Sequence, residues 1–163
     1  MLFRSRTATI LERAWLAEIV AVRNPIDLTP ILGDEAYEEV ARAILEDPGV
    51  DAGVIGCVPL TPALNTLPAG DGHPDDLARE DGIVRRLIRL GRENEKPWVA
   101  VVDAGSAYDP MAQALEDGGV PVFRTADRAL RLFGRWCEQR LGAGAGGNPR
   151  AGRPGAGIER SPA

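Results

Sequence analysis

Along the chain, segments in which apolar residues recur every three or four positions alternate with short unbroken apolar runs. The first pattern marks helices packed on one face, and the second marks strands buried on both faces, as in parallel sheets. Thr7 or Thr9 can cap a first helix whose Ile10, Leu11, Ala14 and Trp15 share one side, ending before Arg23-Asn24-Pro25 because Pro25 disfavours helix in the residue before it. A second helix is capped by Asp34, carries the stripe Tyr37, Val40, Ala41, Ile44 and Leu45, and stops at Asp47-Pro48-Gly49, with its Glu and Arg residues facing solvent.

Val50 to Val58 then reads as a strand buried on both faces. The stretch from Pro59 to Arg79, rich in Pro, Gly and Asp, is longer than ordinary connections, so it is a functional loop or holds a short helical turn. Ile83, Val84, Leu87 and Ile88 mark a helix with Arg85, Arg86, Arg89 and Arg92 outside, and Lys96-Pro97 leads into a strand from Trp98 to Val102. Pro110 suits the first turn of a helix carrying Met111 and Leu115, which Gly118-Gly119 terminates. Val120 to Phe123 forms a last strand, placed at the sheet edge by Pro121. Thr125 caps a final helix bearing Ala129, Leu132, Phe133, Trp136 and Cys137.

Strands alternating with helices predict an α/β fold, a parallel sheet covered on both faces and wound with right-handed crossovers. Such sheets bind ligands at the carboxyl ends of their strands. That singles out Pro59 to Leu64, Asp103 to Asp109, and Arg124-Thr125. Within the first of these, a helix start would turn free backbone amides toward an anion, although Pro59 and Pro62 carry no amide hydrogen. Asn24 and Asp27, in Asn24-Pro25-Ile26-Asp27-Leu28-Thr29-Pro30, are suited to brace a turn through local side-chain hydrogen bonds.

At 163 residues with 44% hydrophobic content, the chain fits one domain with a real core. Residues 1–141 carry the elements, and 142–163, dominated by Gly, Pro and Ala, read as a disordered tail. A formal net charge of -5 disfavours general nucleic-acid binding, which rewards clustered Lys and Arg. Cys57 and Cys137 lie far apart inside apolar stretches, which fits buried free thiols rather than a disulfide framework or zinc site. No apolar stretch is long enough for a bilayer and no leader is recognisable, so the expected location is cytoplasmic, without membrane contact.

The remaining chemical candidates are weak. Gly142, Gly144 and Gly147 satisfy a G-x-G-x-x-G spacing, but they follow a helix rather than separate a strand from one. The single histidine, His73, stands in a Pro- and Asp-rich loop and reads as a surface residue. With no nucleophile-elbow or Cys-protease signature, an independent hydrolase is not expected, and no metal site is expected either.

Taken in order, Asn24-Pro25-Ile26-Asp27-Leu28, Tyr37, Leu45-Glu46-Asp47-Pro48-Gly49-Val50-Asp51-Ala52, Lys96-Pro97, Gly119-Val120-Pro121-Val122-Phe123 and Arg128-Ala129 resemble the carboxyl-terminal flavodoxin-like ligase-CoA domain of NDP-forming acyl-CoA synthetases. This is the acetate-CoA ligase (ADP-forming) family, related to succinyl-CoA synthetases. The resemblance spans roughly Thr7 to Leu141. It implies a flavodoxin-like, three-layer parallel sheet, without the family's first strand and helix, which would lie before Thr7.

The resemblance also implies a part in an acid-thiol ligase reaction that couples acyl-CoA to ATP or GTP through a phosphohistidine in another domain. CoA and ATP or ADP with Mg would belong to the complete enzyme, none being bound by this chain alone. The implied partners are CoA-binding and ATP-grasp domains or subunits. The chain would then be a subunit or fragment, catalytically incomplete, with no catalytic residue of its own and His73 outside the phosphoryl-carrier role. Leu60, Thr61 and Ala63 would face the phosphohistidine, with Asn24 and Asp27 bracing, although Pro59-Leu60 stands where succinyl enzymes have paired glycines. A stand-alone flavodoxin-like binding or regulatory module is the alternative. A flavin-binding electron carrier would need a hydroxyl-rich loop after the absent first strand.

Overall fold

The computed structural model describes residues 2–14 and 16–145, with side chains for 6–14 and 16–140. Trp15 and the tail from residue 146 onward lie outside the described residues. Three strands, β1 (Gly53–Cys57), β2 (Trp98–Val102) and β3 (Val122–Phe123), form a parallel sheet in the order β1-β2-β3. β2 is central and all five of its residues are buried. β3 is an edge strand, as Pro121 implied.

The helices are α1 (Leu2–Arg13), α2 (Asp34–Leu45), α3 (Ile83–Glu93), α4 (Asp109–Asp117) and α5 (Ala126–Ala145). One face of the sheet presents Ile55, Cys57, Ala100 and Val102 to a core built with Leu11 of α1, Val40 and Leu45 of α2, Leu87 of α3, and Met111 and Leu115 of α4. The opposite face gathers Val99 and Val101 under Ala129 of α5, flanked by Phe123 and Phe133. The alternation of strand side chains thus divides the chain into three layers.

Several boundaries differ from the sequence expectation. α1 begins at Leu2, so Thr7 is fully buried within the helix instead of capping it, and α1 ends at Arg13, well before Asn24. Contact with α2 decides this, because Ile10 and Leu11 are buried there and Leu16 and Val20 reach the core from a turn. On α2, Glu38 is buried rather than solvated, paired with Arg42 at 2.7 Å and approached by Arg86 of α3 at 4.0 Å. A carboxylate is tolerated there because cations accompany it.

β1 is not buried on both faces: Ile55 and Cys57 are, but Val54 is 40% exposed, since α5 covers the opposite face mainly over β2. α5 continues to Ala145, past the expected end at Leu141. On α5, Ala129 is buried, whereas Leu132 and Trp136 remain exposed, Trp136 stacking on Phe133 with Arg140 over its ring.

Two glycines end α4 for different reasons. A Cβ on Gly118 would come within 2.4 Å of the Ile88 side chain, so this position lets α3 and α4 approach closely, while Gly119 has φ +90, a conformation natural to glycine. Gly118→Ala is expected to lower unfolding stability by about 1–3 kcal/mol through overpacking. Urea denaturation of the variant beside the parent checks this.

Candidate functional site

Sequence reasoning placed the site at the carboxyl ends of the strands, and the loops there are tightly braced. After β1 no helix begins until Ile83, which corrects the expected helix start near Thr61. Pro59, Pro62 and Pro68 remove the donors that an early helix would need. Leu60 is 72% exposed, whereas Thr61 is 8% exposed and its hydroxyl donates to the Pro30 carbonyl. The same hydroxyl accepts from the Ala63 amide at 3.1 Å. Thr61 is therefore a clasp between the loop and the 25–30 segment, and the Ala63 amide is already engaged.

In that segment, Asp27 Oδ1 accepts from the Thr29 amide at 2.9 Å, next to the positive φ of 62 at Thr29. Asn24 is exposed, is joined to Pro25 by a cis peptide bond, and makes no side-chain hydrogen bond among the described residues. The segment, α2 and the outer edge of β1 enclose a largely apolar cavity of about 600 Å³.

Asp34 carries a role that the helix pattern did not reveal. Its Oδ1 accepts from the Ile83 amide at 3.0 Å and the Asn65 amide at 3.1 Å, and its Oδ2 accepts from Asn65 Nδ2 at 2.6 Å. The residue expected to cap α2 instead caps α3, and Gly33 occupies the position before α2. Asn65 passes the restraint on, its Oδ1 accepting from the Asp76 amide at 3.3 Å, and Thr66 donates to the Pro59 carbonyl at 3.1 Å. The Asp-x-x-x spacing of a helix cap was visible in the sequence, but its distant partner was not.

At the end of β3, Arg124 plays the matching part. Its guanidinium donates to the carbonyls of Val102 at 3.1 Å and Ala104 at 2.8 Å and pairs with Asp109. The Asp103 to Asp109 loop is thereby fixed to β3, and the Arg124 donors are committed. His73 stands apart from these loops' hydrogen-bond networks, its Nδ1 unpartnered. Among the described residues no group of His, Cys, Asp and Glu is arranged to hold a metal ion.

Tyr37 donates its hydroxyl to the Gly56 carbonyl at 2.6 Å beside the buried Cys57. Burial pushes the Cys57 thiol up to about 12, despite the opposing effect of the Tyr37 hydroxyl. Burial likewise raises Tyr37, with Cys57 adding to it. Cys57 is thus an inert core thiol.

The fold defined by these elements is a flavodoxin-like α/β domain, and it is shared with a solved structure, PH0766 from Pyrococcus horikoshii OT3, at a TM-score of 0.53 and 30% identity. That match covers 73% of this chain and 25% of the other. The chain is also 29% identical over 136 residues to the alpha subunit of acetate-CoA ligase (ADP-forming) II from Pyrococcus furiosus. The resemblance to the NDP-forming acyl-CoA synthetases thus extends over 83% of the chain, which spans about a quarter, 27%, of that relative. No family model matches the chain. No helix among the described residues is long and apolar enough to cross a membrane.

Two outcomes test the site's architecture. Asp34→Ala should cost about 2 kcal/mol, because three donors lose a charged acceptor, and should speed amide exchange at Ile83 and Asn65 together. In the alkaline range, Cys57 and Tyr37 are neutral in the folded state but ionise more readily when unfolded. Both folded values are raised, so the Cys57 contribution is complete below about pH 9 and is lost as pH rises toward about 12, and Tyr37 adds a loss of the same sign at alkaline pH. Chemical denaturation across this range should show declining stability, with a shallower decline in Cys57→Ala.

Proposed function

We propose that the chain acts as the carboxyl-terminal ligase-CoA-type part of an NDP-forming acyl-CoA synthetase and is catalytically incomplete by itself. The observation that carries this reading is the alignment with an ADP-forming acetate-CoA ligase alpha subunit over 136 residues. Its contribution is a preorganised surface at the strand ends, built from the clasped loop around Leu60, Thr61 and Ala63 and the Asp27 turn, against which a partner's phosphorylated histidine is presented.

The loops do not fit CoA or a nucleotide unaided. Arg124 is committed to carbonyls and Asp109, Pro59 and Pro62 lack amide hydrogens, and Leu60 offers an apolar tip. Supply of CoA, ATP or ADP and Mg accordingly falls to CoA-binding and ATP-grasp partners, in the cytoplasm. Electrostatic support of phosphoryl transfer by fixed backbone donors is the part left to this chain.

Purified alone, the chain should form no acyl-CoA from acetate, CoA, ATP and Mg, and robust thioester formation would overturn the proposal. With the partner domains restored, two Thr61 variants separate structure from chemistry. Thr61→Val removes the clasp hydroxyl but keeps the amide, so it should lower the melting temperature with little loss of turnover per folded molecule. Thr61→Pro removes both and should lower turnover by on the order of a hundredfold. Equal turnover by the two folded variants would deny the loop amide a catalytic part.

A further inference from the structure

Three segments meet at the carboxyl ends of the strands: the loop after β1, the Asp103 to Asp109 loop after β2, and the 25–30 segment that Thr61 fastens to the first. β1 and β2 run parallel with Cys57 opposite Val102, so both loops leave the sheet at the same end. Their charges are one-sided. Residues 58–64 carry none, 103–109 contribute Asp103 and Asp109, and 25–30 contribute Asp27, with no lysine or arginine in any of them. All three aspartates are exposed.

Arg124, directly after β3, sets a cation among these carboxylates. β3 ends with Phe123 opposite Val101, so no residue of β3 stands opposite Val102. Arg124 Nε donates to the Val102 carbonyl at 3.1 Å, and Nη2 donates to the Ala104 carbonyl at 2.8 Å and reaches the Gly105 carbonyl at 3.5 Å. Nη1 pairs with Asp109. A planar guanidinium answers several carbonyls and a carboxylate at once, which an ammonium point charge does not. The side chain remains 40% exposed, so its charge acts at the surface although its donors are engaged.

A phosphoryl group carries about two negative charges at neutral pH, and like charges brought together across an interface oppose association. We propose that Arg124 is a positioning residue for the docking of a partner's phosphohistidine. Through Asp109 and the carbonyls of Val102 and Ala104 it holds the second loop in place, and its charge offsets the carboxylates that would otherwise repel the phosphoryl group. It acts through these neighbours and does not itself touch the phosphoryl group. The inference rests on the ligase reading above and adds to it the residue that makes an acidic surface acceptable to an anion.

The test follows thioester formation from acetate, CoA, ATP and Mg while the phosphohistidine-bearing partner, supplied as a separate polypeptide, is titrated against this chain. Arg124→Gln should raise the apparent KM for that partner by roughly tenfold at about 0.05 M salt with little change in kcat, and the difference should shrink at about 0.5 M, where screening is short-ranged. Arg124→Gln combined with Asp109→Asn should recover most of the loss, because the unpaired carboxylate leaves with its cation. Asp109→Asn alone should lower the apparent KM. An unchanged KM in Arg124→Gln overturns the proposal. So does a rise that salt leaves untouched and Asp109→Asn does not relieve, the result of a purely structural tie. Should Arg124→Gln fail to fold in a thermal melt, Asp109→Asn alone decides, since a structural tie predicts a higher KM and charge offset a lower one. A parent chain that gives no thioester with its partners overturns the ligase reading and this proposal together, whereas an active parent matched by the Arg124 variant overturns this proposal alone.

Discussion

One carboxylate joins three segments that are remote in sequence. Asp34 stands at the first turn of α2, accepts the amide that opens α3, and holds Asn65 by backbone and side chain. Helix amino termini leave several amides without intrahelical partners, and α3 has no side-chain cap of its own at Gly82. By answering that need from another helix, Asp34 fixes the angle at which α3 leaves the long loop. The loop's Thr66 and Asn65 contacts, and thus the strand end carrying Leu60 and Thr61, depend on the same anchor.

The motifs that bear the family resemblance turn out to be junctions of the fold. Lys96 donates from Nζ to the Asp47 carbonyl at 2.5 Å, so the turn after α2 and the entry to β2 are tied together. Tyr37 ties α2 to β1 at Gly56, and Ala129 packs without exposure on Val99 and Val101. Thr61 and Asp27 fasten the 25–30 segment beside the strand ends. A scaffold so fastened can hold a loop still for chemistry supplied elsewhere, which is what preorganised electrostatic support requires.

The three layers are unequally complete. Among the described residues four helices share one face of the sheet, whereas α5 alone covers the other, and Val54, Leu132 and Trp136 stay exposed around it.

Strand and helix identity was legible in the sequence wherever period and punctuation agreed. The stripe of α2, the unbroken run of β2, the Gly118-Gly119 stop and the edge position of Pro121 follow from local sterics and from burial of one face. These features are fixed by neighbours within a few residues, so the order of residues determined them. What the sequence could not convey was partnership across distance. Asp34 looked like a cap for its own helix, Glu38 like a solvated charge, Thr61 like a helix start and Val54 like a doubly buried strand residue. Each reading changed when a remote segment supplied or withheld a partner: Ile83 and Asn65 for Asp34, Arg86 for Glu38, Pro30 for Thr61, and no covering helix for Val54. Hydrogen bonding and burial depend on which surfaces meet, and only the tertiary structure brings those surfaces together.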